Sequence, residues 1–356
     1  MKYRFLIYIS HTYALPIGGP LQTEILKRGF EIKWFADEEY AKAYFPEHGE
    51  LLNTIEEVID YHPDIVLTIS NSVADFISGI KVQIFHGFIA NKRSFKKGHF
   101  RIRGFFDLYC TQGPSTTLPF KKLQKKHKHF DVIETGWSKV DPLFPIESNY
   151  AGKPVILISS TFTPKYSLTY NEPVLEEIER ISKIGKWKFK VVLHPKLAKE
   201  KIEIIKAMQN ENLTYYDTTD IIPLFKQADV MFSDTTSAIT EFILQKKPVV
   251  TFNNNKPGEH LIDITEVSQI EESITRALER PAPIIATIQN FIEITHPYAD
   301  GRSSERVINA CIEFLHMNKD HLKKKPLNLI RKYKMRKKLG YFTLKSYDRP
   351  LTIKKS

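Results

Sequence analysis

Ser233-Asp234-Thr235-Thr236-Ser237 packs four hydroxyls and a carboxylate into five positions, between the apolar run Val230-Met231-Phe232 and a helical pattern through Gln245. A helix start leaves backbone N–H groups unsatisfied and carries partial positive charge, so it suits phosphate oxygens. The same side chains also suit an ordinary N-cap, which is their plainer use. Two histidines stand in comparable places. His86-Gly87 follows the expected strand Lys81–Phe85, and His194-Pro195 follows Lys188–Leu193. Imidazole exchanges a proton with a hydroxyl near neutral pH, although it also serves as a buried hydrogen-bond partner. Gly87 would let a substrate approach the backbone, and Pro195 would stop its strand. The segment Asp300-Gly301-Arg302-Ser303-Ser304-Glu305-Arg306 offers two guanidinium groups that can grip phosphate, or a capping box closed by Glu305. No metal-binding Asp pair, Walker loop, zinc-ligand cluster or nucleophile elbow is present. Phosphate chemistry here would rest on histidine, hydroxyl, arginine and helix ends, with no metal and no cofactor expected.

These groups need strands to end at one sheet edge. Short apolar runs alternate with helical patterns, the signature of α/β architecture with parallel sheets. Strands are expected at Tyr3–Ile9, Glu31–Phe35, Ile65–Ile69, Lys81–Phe85, Leu108–Thr111 and Val132–Glu134. Ile17-Gly18-Gly19-Pro20 reads as a tight loop before a helix through Lys27, and Leu51–Tyr61 reads as a helix. Val140–Tyr150 reads as a linker into a second half. That half has strands at Val155–Ser159, Lys188–Leu193, Leu213–Tyr216, Val230–Phe232 and Pro248–Phe252. Its helices are expected at Glu172–Ile184, Lys199–Asn210, Asp220–Lys226, Thr235–Gln245, Glu272–Arg280 and Glu305–Met317. The fold class expected is therefore α/β, two Rossmann-like domains facing across a cleft, with a basic C-terminal tail. Residues 1–145 would form the acceptor domain, 152–319 the nucleotide-donor domain and 320–356 the tail. Candidate sites at the carboxyl ends of strands are where open α/β sheets bind ligands.

The chain has 356 residues, enough for about two domains, with 42% hydrophobic and 26% charged content. Its two cysteines, Cys110 and Cys311, fit a reducing compartment better than a disulfide framework. The Phe5–Ile9 run is too short for a signal peptide, and no apolar stretch reaches membrane-spanning length. The net charge of +11 lies in one place. From Asp320 onward, thirteen Lys or Arg face two acids, a surplus equal to that of the whole chain. There Leu322, Leu327, Leu329, Ile330, Tyr333, Met335, Leu339, Tyr341 and Phe342 alternate with cations. Such a mixture suits a helix lying on an anionic membrane, here through Lys323–Lys338, although a solvated basic tail has the same composition. No nucleic-acid-binding signature accompanies it, and nucleic acid is not expected as a partner.

Taken in order, His86-Gly87, Gly136-Trp137-Ser138-Lys139-Val140-Asp141-Pro142-Leu143-Phe144, Leu193-His194-Pro195, Asp220–Asp229 running into Ser233–Ser237, and Asp300–Arg306 resemble the CDP-glycerol:glycerophosphotransferase family. These are the teichoic-acid primases and polymerases, GT-B-like in fold, and the resemblance covers about residues 80 to 310. It implies transfer of an alditol phosphate, glycerol phosphate first, from a CDP-linked donor to a hydroxyl of a lipid-linked or polymeric acceptor, releasing CMP. This would serve teichoic acid or capsule synthesis on the inner face of the cell membrane. By position, His86 would be the acceptor-side base and His194 would stabilise the donor diphosphate. Ser233, Asp234, Thr235, Thr236 and Ser237, with Arg302 and Arg306, would hold phosphate, and Glu241 the ribose. Gly87, Lys92 and Arg93 would line the acceptor side, where Phe85-His86-Gly87-Phe88-Ile89-Ala90 departs from the family's Trp-His-Gly-Thr-Pro pattern. A GT-B glycosyltransferase using a nucleotide sugar, and an inactive GT-B-like membrane adaptor, remain as alternative expectations.

Overall fold

The computed structural model describes residues 2–43, 45, 49–88, 98–146 and 152–354. The chain divides into two compact units, Met1–Pro142 with Thr295–Ser356, and Leu143–Ile294. The first holds β1 (Arg4–Ile9), β2 (Glu31–Ala36), β3 (Leu51–Leu52), β4 (Ile65–Thr68), β5 (Ile80–Ile84), β6 (Leu108–Thr111) and β7 (Asp131–Glu134). They lie in the order β3-β2-β1-β4-β5-β6-β7. The second holds β8 (Val155–Ser160), β9 (Lys188–Leu193), β10 (Leu213–Tyr215), β11 (Val230–Ser233), β12 (Val249–Phe252) and β13 (Ile262–Ile264), in the order β10-β9-β8-β11-β12-β13. Every pairing in both sheets is parallel. Near-continuous burial along β1, β4, β8 and β11 explains their largely apolar runs, because helices cover both faces of a parallel sheet; β5 is equally buried but includes Lys81 and Gln83.

Each order reverses once. The chain leaves β1 for β2 and β3 on one side, then returns to β4 on the other; in the second unit the reversal lies between β8 and β11. Loops at such a reversal diverge in opposite directions and leave a crevice at the carboxyl edge. His86 follows β5, next to β4, and His194 follows β9, next to β8. Each histidine is thus one strand away from the crevice of its own unit.

Several boundaries differ from expectation. The first helix begins at Leu15, not Pro20, and absorbs the Gly18-Gly19 pair. Pro16 in the first turn starts it, and Gly18 lets it lie flat on Trp34, whose ring would stand 2.2 Å from a Cβ placed there. In place of one helix over Leu51–Tyr61 come β3 and the helix Ile55–Tyr61, which Thr54 starts through a capping box with Glu57. The helix expected at Thr235–Gln245 is only Ala238–Ile243. Helices at Pro114–His127 and Ala282–Thr295 were not expected, and the helix expected within Lys323–Lys338 is Leu329–Leu339.

The expected domain division at 319 is corrected. The helix Ser303–His316 belongs to the first unit, burying Val307, Ile308, Cys311, Phe314 and Leu315 against β6 and the helix Leu15–Lys27. The tail is likewise part of that unit. Lys325 is buried and pairs with Asp107 at 2.7 Å. In the helix Leu329–Leu339, Arg336 grips Asp75 at 2.7 and 3.1 Å, Lys332 reaches Asp348 at 2.5 Å, and Lys338 spans Asp37 and Glu38 at 2.9 and 2.8 Å. Although burial opposes it, the Arg336 and Ser346 hydrogen bonds hold the Asp75 carboxyl below the ordinary range.

Removing one partner of a buried ion pair strands the other, so Arg336→Ala should destabilise the first unit by about 3 kcal/mol. The exposed Lys334→Ala should cost under about 0.5 kcal/mol. Urea midpoints for the two variants test this, and equal midpoints would refute the docking. Burial also pushes His99 and His296 down from 6.5 to about 4. Their folded forms bind fewer protons than the unfolded chain between those values, so stability should fall as pH drops from 6.5 to 4. Each imidazole contributes on the order of 3 kcal/mol. His296→Gln should flatten that slope in a melting-temperature series.

Candidate functional site

In the second unit the crevice is organised by Asp234. Its carboxylate is wholly buried and accepts from the Ser160 hydroxyl at 2.5 Å, the Thr161 N–H at 3.0 Å and the Leu168 N–H at 3.0 Å. It therefore ties the loop after β8 to the turn after β11. Burial raises its pKa, against these hydrogen bonds. The expectation that Asp234 holds phosphate is corrected: its lone pairs are already committed, and a second anion beside it would be repelled. Ser233 is corrected for a similar reason, since its buried hydroxyl donates to the Ser159 carbonyl at 2.5 Å.

The turn keeps other groups at the edge. The Thr235 hydroxyl oxygen accepts from the Asn255 N–H at 3.0 Å, and Asn254 donates to the Asp234 carbonyl at 2.8 Å, so the loop after β12 braces the turn. Thr236 is half-buried and Ser237 exposed. With only six residues following, the turn's N–H groups and hydroxyls matter more than any long-helix dipole. Glu241 lies buried on that short helix.

His194 is held by its own loop. The Lys196 N–H donates to His194 Nδ1 at 3.0 Å, so Nδ1 is the acceptor and a neutral ring carries its hydrogen on Nε2. The Phe162 ring lies 4.5 Å away, centroid to centroid. Phe162 was not singled out in the sequence, because it falls in the irregular loop after β8, where no periodicity marks it.

In the first unit His86 is exposed on a turn fixed from both sides. The Trp137 indole N–H donates to the Phe85 carbonyl at 2.6 Å, and Gln112 donates to the Gly87 carbonyl at 3.0 Å. A Cβ on Gly87 would meet open space. Trp137 is fixed in turn, for its backbone N–H donates to His296 Nε2 at 3.0 Å. Gly136, at φ +80°, lies so close that a Cβ would come within 2.5 Å of Ser303 Oγ and 2.9 Å of His296 Nε2. Asp141 completes the joint by accepting from the N–H groups of Ser303 and Ser304 at 2.8 and 2.7 Å.

Three separately noted segments, around residues 86, 136–144 and 300–306, thus form one support for His86. Arg302 and Arg306, expected to hold phosphate, are paired within this segment. The helix start they flank is filled by the Asp141 carboxylate. Arg302 pairs with Glu305 at 2.7 Å. Arg306 pairs with Asp300 at 2.8 Å, donates to the Thr135 carbonyl and stacks on Tyr298. Lys92 and Arg93 lie outside the described residues. Around His86 stand rings that were not anticipated: Tyr13, 5.6 Å away between centroids, and His99, stacked on Phe85 at 4.5 Å. Only their place after β1 and before β6 in the folded sheet brings them there.

No family model matches the chain. The teichoic acid ribitol-phosphate polymerase TarK of Staphylococcus aureus is 24% identical over 291 residues, 70% of this chain and 55% of its own length. The chain therefore spans about half the length of that curated relative. Among solved structures, the wall teichoic acid polymerase TagF superposes with a TM-score of 0.66 at 11% identity, covering 87% of this chain and 89% of that one. A TagF variant soaked with CDPG gives 0.62 at 12% identity, covering 87% and 88%. A UDP-N-acetylglucosamine 2-epimerase from Listeria monocytogenes gives 0.62 at 14% identity, covering 88% and 96%. At such identities the structural likeness is one of fold. The chain is thus similar in sequence to TarK and shares the GT-B-like, two-sheet fold of TagF and the epimerase.

Proposed function

We propose that this chain transfers an alditol phosphate, glycerol phosphate in the first place, from a CDP-linked donor to a hydroxyl of a lipid-linked or polymeric surface acceptor. The observation that carries the reading is the fixed tautomer of His194 one strand from a crevice edged by the Thr236 and Ser237 hydroxyls. In this reading the second unit holds the donor. Thr235, Thr236 and Ser237 meet phosphate oxygens, and Glu241 meets the ribose hydroxyls. His194 Nε2–H donates to the diphosphate as negative charge moves onto the departing CMP. The first unit serves the acceptor. His86 takes the proton of the attacking hydroxyl, the new P–O bond forms at the phosphorus bearing the alditol, and the P–O bond to CMP breaks. Positioning and fixed dipoles supply the rate, without a metal ion or cofactor.

The chain works at the inner face of the cell membrane in this reading, held by its C-terminal segment. Within the helix Leu329–Leu339 the cations Lys332 and Arg336 turn inward to carboxylates, while Leu329, Ile330 and Tyr333 point out. Leu329 is 69% exposed, Ile330 75% and the neighbouring Phe342 65%. Exposed Lys323, Lys324, Lys334 and Lys337 flank them. Apolar anchors ringed by cations fit an anionic leaflet, with each cation near the surface contributing about 1 kcal/mol. Among the described residues no helix is long and apolar enough to cross a membrane.

A donor panel decides the chemistry. CDP-glycerol or CDP-ribitol with a membrane-derived acceptor should release CMP, and UDP-sugars should release no UDP. UDP release alone would replace this reading with glycosyl transfer. His86→Ala and His194→Ala should each lower kcat roughly 10²–10⁴-fold with melting temperature unchanged. Unaltered cellular function in both variants would leave only an inactive adaptor. For the membrane, Leu329→Glu with Ile330→Glu should abolish flotation with vesicles rich in anionic phosphatidylglycerol and leave the fold intact. Deleting the segment would be a poor test, because it is docked through Asp75 and Asp107.

A further inference from the structure

The crevice of the first unit, between β1 and β4, holds a group of side chains that the donor chemistry does not use. His11 stands two residues past β1, Tyr13 in the single turn Thr12–Ala14, and Tyr40 in the helix Glu39–Lys42 after β2. The His11 ring lies 5.2 Å from Tyr13 and 6.0 Å from Tyr40, and Tyr13 lies 5.6 Å from His86. His11 Nδ1 shares a hydrogen bond with the Tyr40 hydroxyl. Tyr13 is 45% exposed and Tyr40 51%, so four rings form a continuous, open aromatic wall that ends at His86.

We propose that His11, Tyr13 and Tyr40 form a subsite for a neutral saccharide ring, which presents its hydroxyl to His86. The proposal deepens the function above and rests on it for the identity of the ring as part of the acceptor. Two properties select a neutral ring. First, tyrosine combines an apolar face, able to cover the C–H face of a pyranose, with a hydroxyl that can meet the ring's own hydroxyls. Burial, aided by Tyr40 and Asp37, pushes the Tyr13 hydroxyl up, and Tyr40 is raised as well. Both stay uncharged donors through the physiological range. Second, the nearby charges disfavour an anion. Asp37 and Glu38 stand beside Tyr40 in sequence, and Lys338 is already shared between their two carboxylates. A phosphate placed on the wall would be repelled by those acids, to which Lys338 is already committed, whereas an uncharged polyol meets no such repulsion.

The wall also has a fixed frame. Ser10 and Ser70, at the starts of the loops after β1 and β4, are joined by a 2.7 Å hydrogen bond. The Tyr8 hydroxyl donates to Asp37 at 2.8 Å and fixes the end of β2. A rigid aromatic face of this kind binds with little loss of side-chain freedom.

Saturation-transfer NMR on the full chain tests the proposal with three probes: methyl β-D-glucopyranoside, methyl 2-acetamido-2-deoxy-β-D-glucopyranoside and glycerol 3-phosphate. Ring protons of at least one glycoside should be saturated in the wild type and in Tyr13→Phe. The transfer should fall at least fivefold in Tyr13→Leu and in Tyr40→Leu, at unchanged melting temperature. Equal transfer in wild type and both Leu variants would overturn the subsite, and so would the absence of transfer to either glycoside. Stronger transfer to glycerol 3-phosphate, lost in the same variants, would overturn it in favour of an anion site. This measurement needs no donor. A negative result with CMP still released would sink the subsite alone, and glycoside binding without CMP release would sink the phosphotransfer reading alone.

Discussion

The Asp141 carboxylate is the fixed point on which the first candidate histidine depends. It sits at the start of the helix Ser303–His316 and accepts two backbone N–H groups and the Ser304 hydroxyl. Helix starts attract anions through these unsatisfied donors, and here the anion is supplied from within the chain. Burial pushes the Asp141 pKa up, against the Ser304 and Ser303 hydrogen bonds. The consequence is geometric. Asp141 anchors the 136–144 segment, Gly136 allows close approach to His296, His296 holds the Trp137 N–H, and the Trp137 indole holds the carbonyl that precedes His86. An exposed imidazole is thereby aimed by a chain of buried contacts, with each link in a position no neighbour can vary freely.

Asp234 plays the equivalent part in the second unit. It lies at the reversal of the sheet, where the loops after β8 and β11 part, and joins them through Ser160, Thr161 and Leu168. A carboxylate there would repel a phosphate if it were exposed. Wholly buried and saturated with donors, it instead fixes the turn on which Thr236 and Ser237 reach the edge. In both units, then, a buried acid is structural, and the groups left at the edge are hydroxyls and an imidazole.

The strands and their order along the chain were legible because a parallel sheet buried on both faces demands continuous apolar runs, and β4, β8 and β11 have them. His86 and His194 were legible as candidates because each follows an expected strand. What misled was sharing of one residue type between two jobs. Arg302 and Arg306 carry the charges of an anion site and Asp234 stands among the hydroxyls of one, yet they pair with Glu305, with Asp300 and with Ser160. No local pattern separates those uses, since the partners become neighbours only after folding. The boundary at 319 failed for a related reason: the helix Ser303–His316 is amphipathic wherever it docks, and only contact with β6 and the helix Leu15–Lys27 assigns it to the first unit. His11 and Tyr13 carried no motif at all, being joined to His86 through sheet order.

The C-terminal segment shows the same rule on a larger scale. Charge counting treats its thirteen cations as one electrostatic surface. In the folded chain Lys325, Lys332, Arg336 and Lys338 are consumed by Asp107, Asp348, Asp75 and the Asp37–Glu38 pair. Long cationic side chains can lie along a protein surface and bring their charge to a buried acid, and here Lys332 and Arg336 share the docked face with Met335 and Leu339. Orienting the helix by its ion pairs therefore forces Leu329, Ile330 and Tyr333 outward. An amphipathic helix docked by its apolar face would present only charge. Docked by its ion pairs together with Met335, this one presents Leu329, Ile330 and Tyr333 with the remaining lysines around them, and Lys338 links that surface to the acids beside Tyr40.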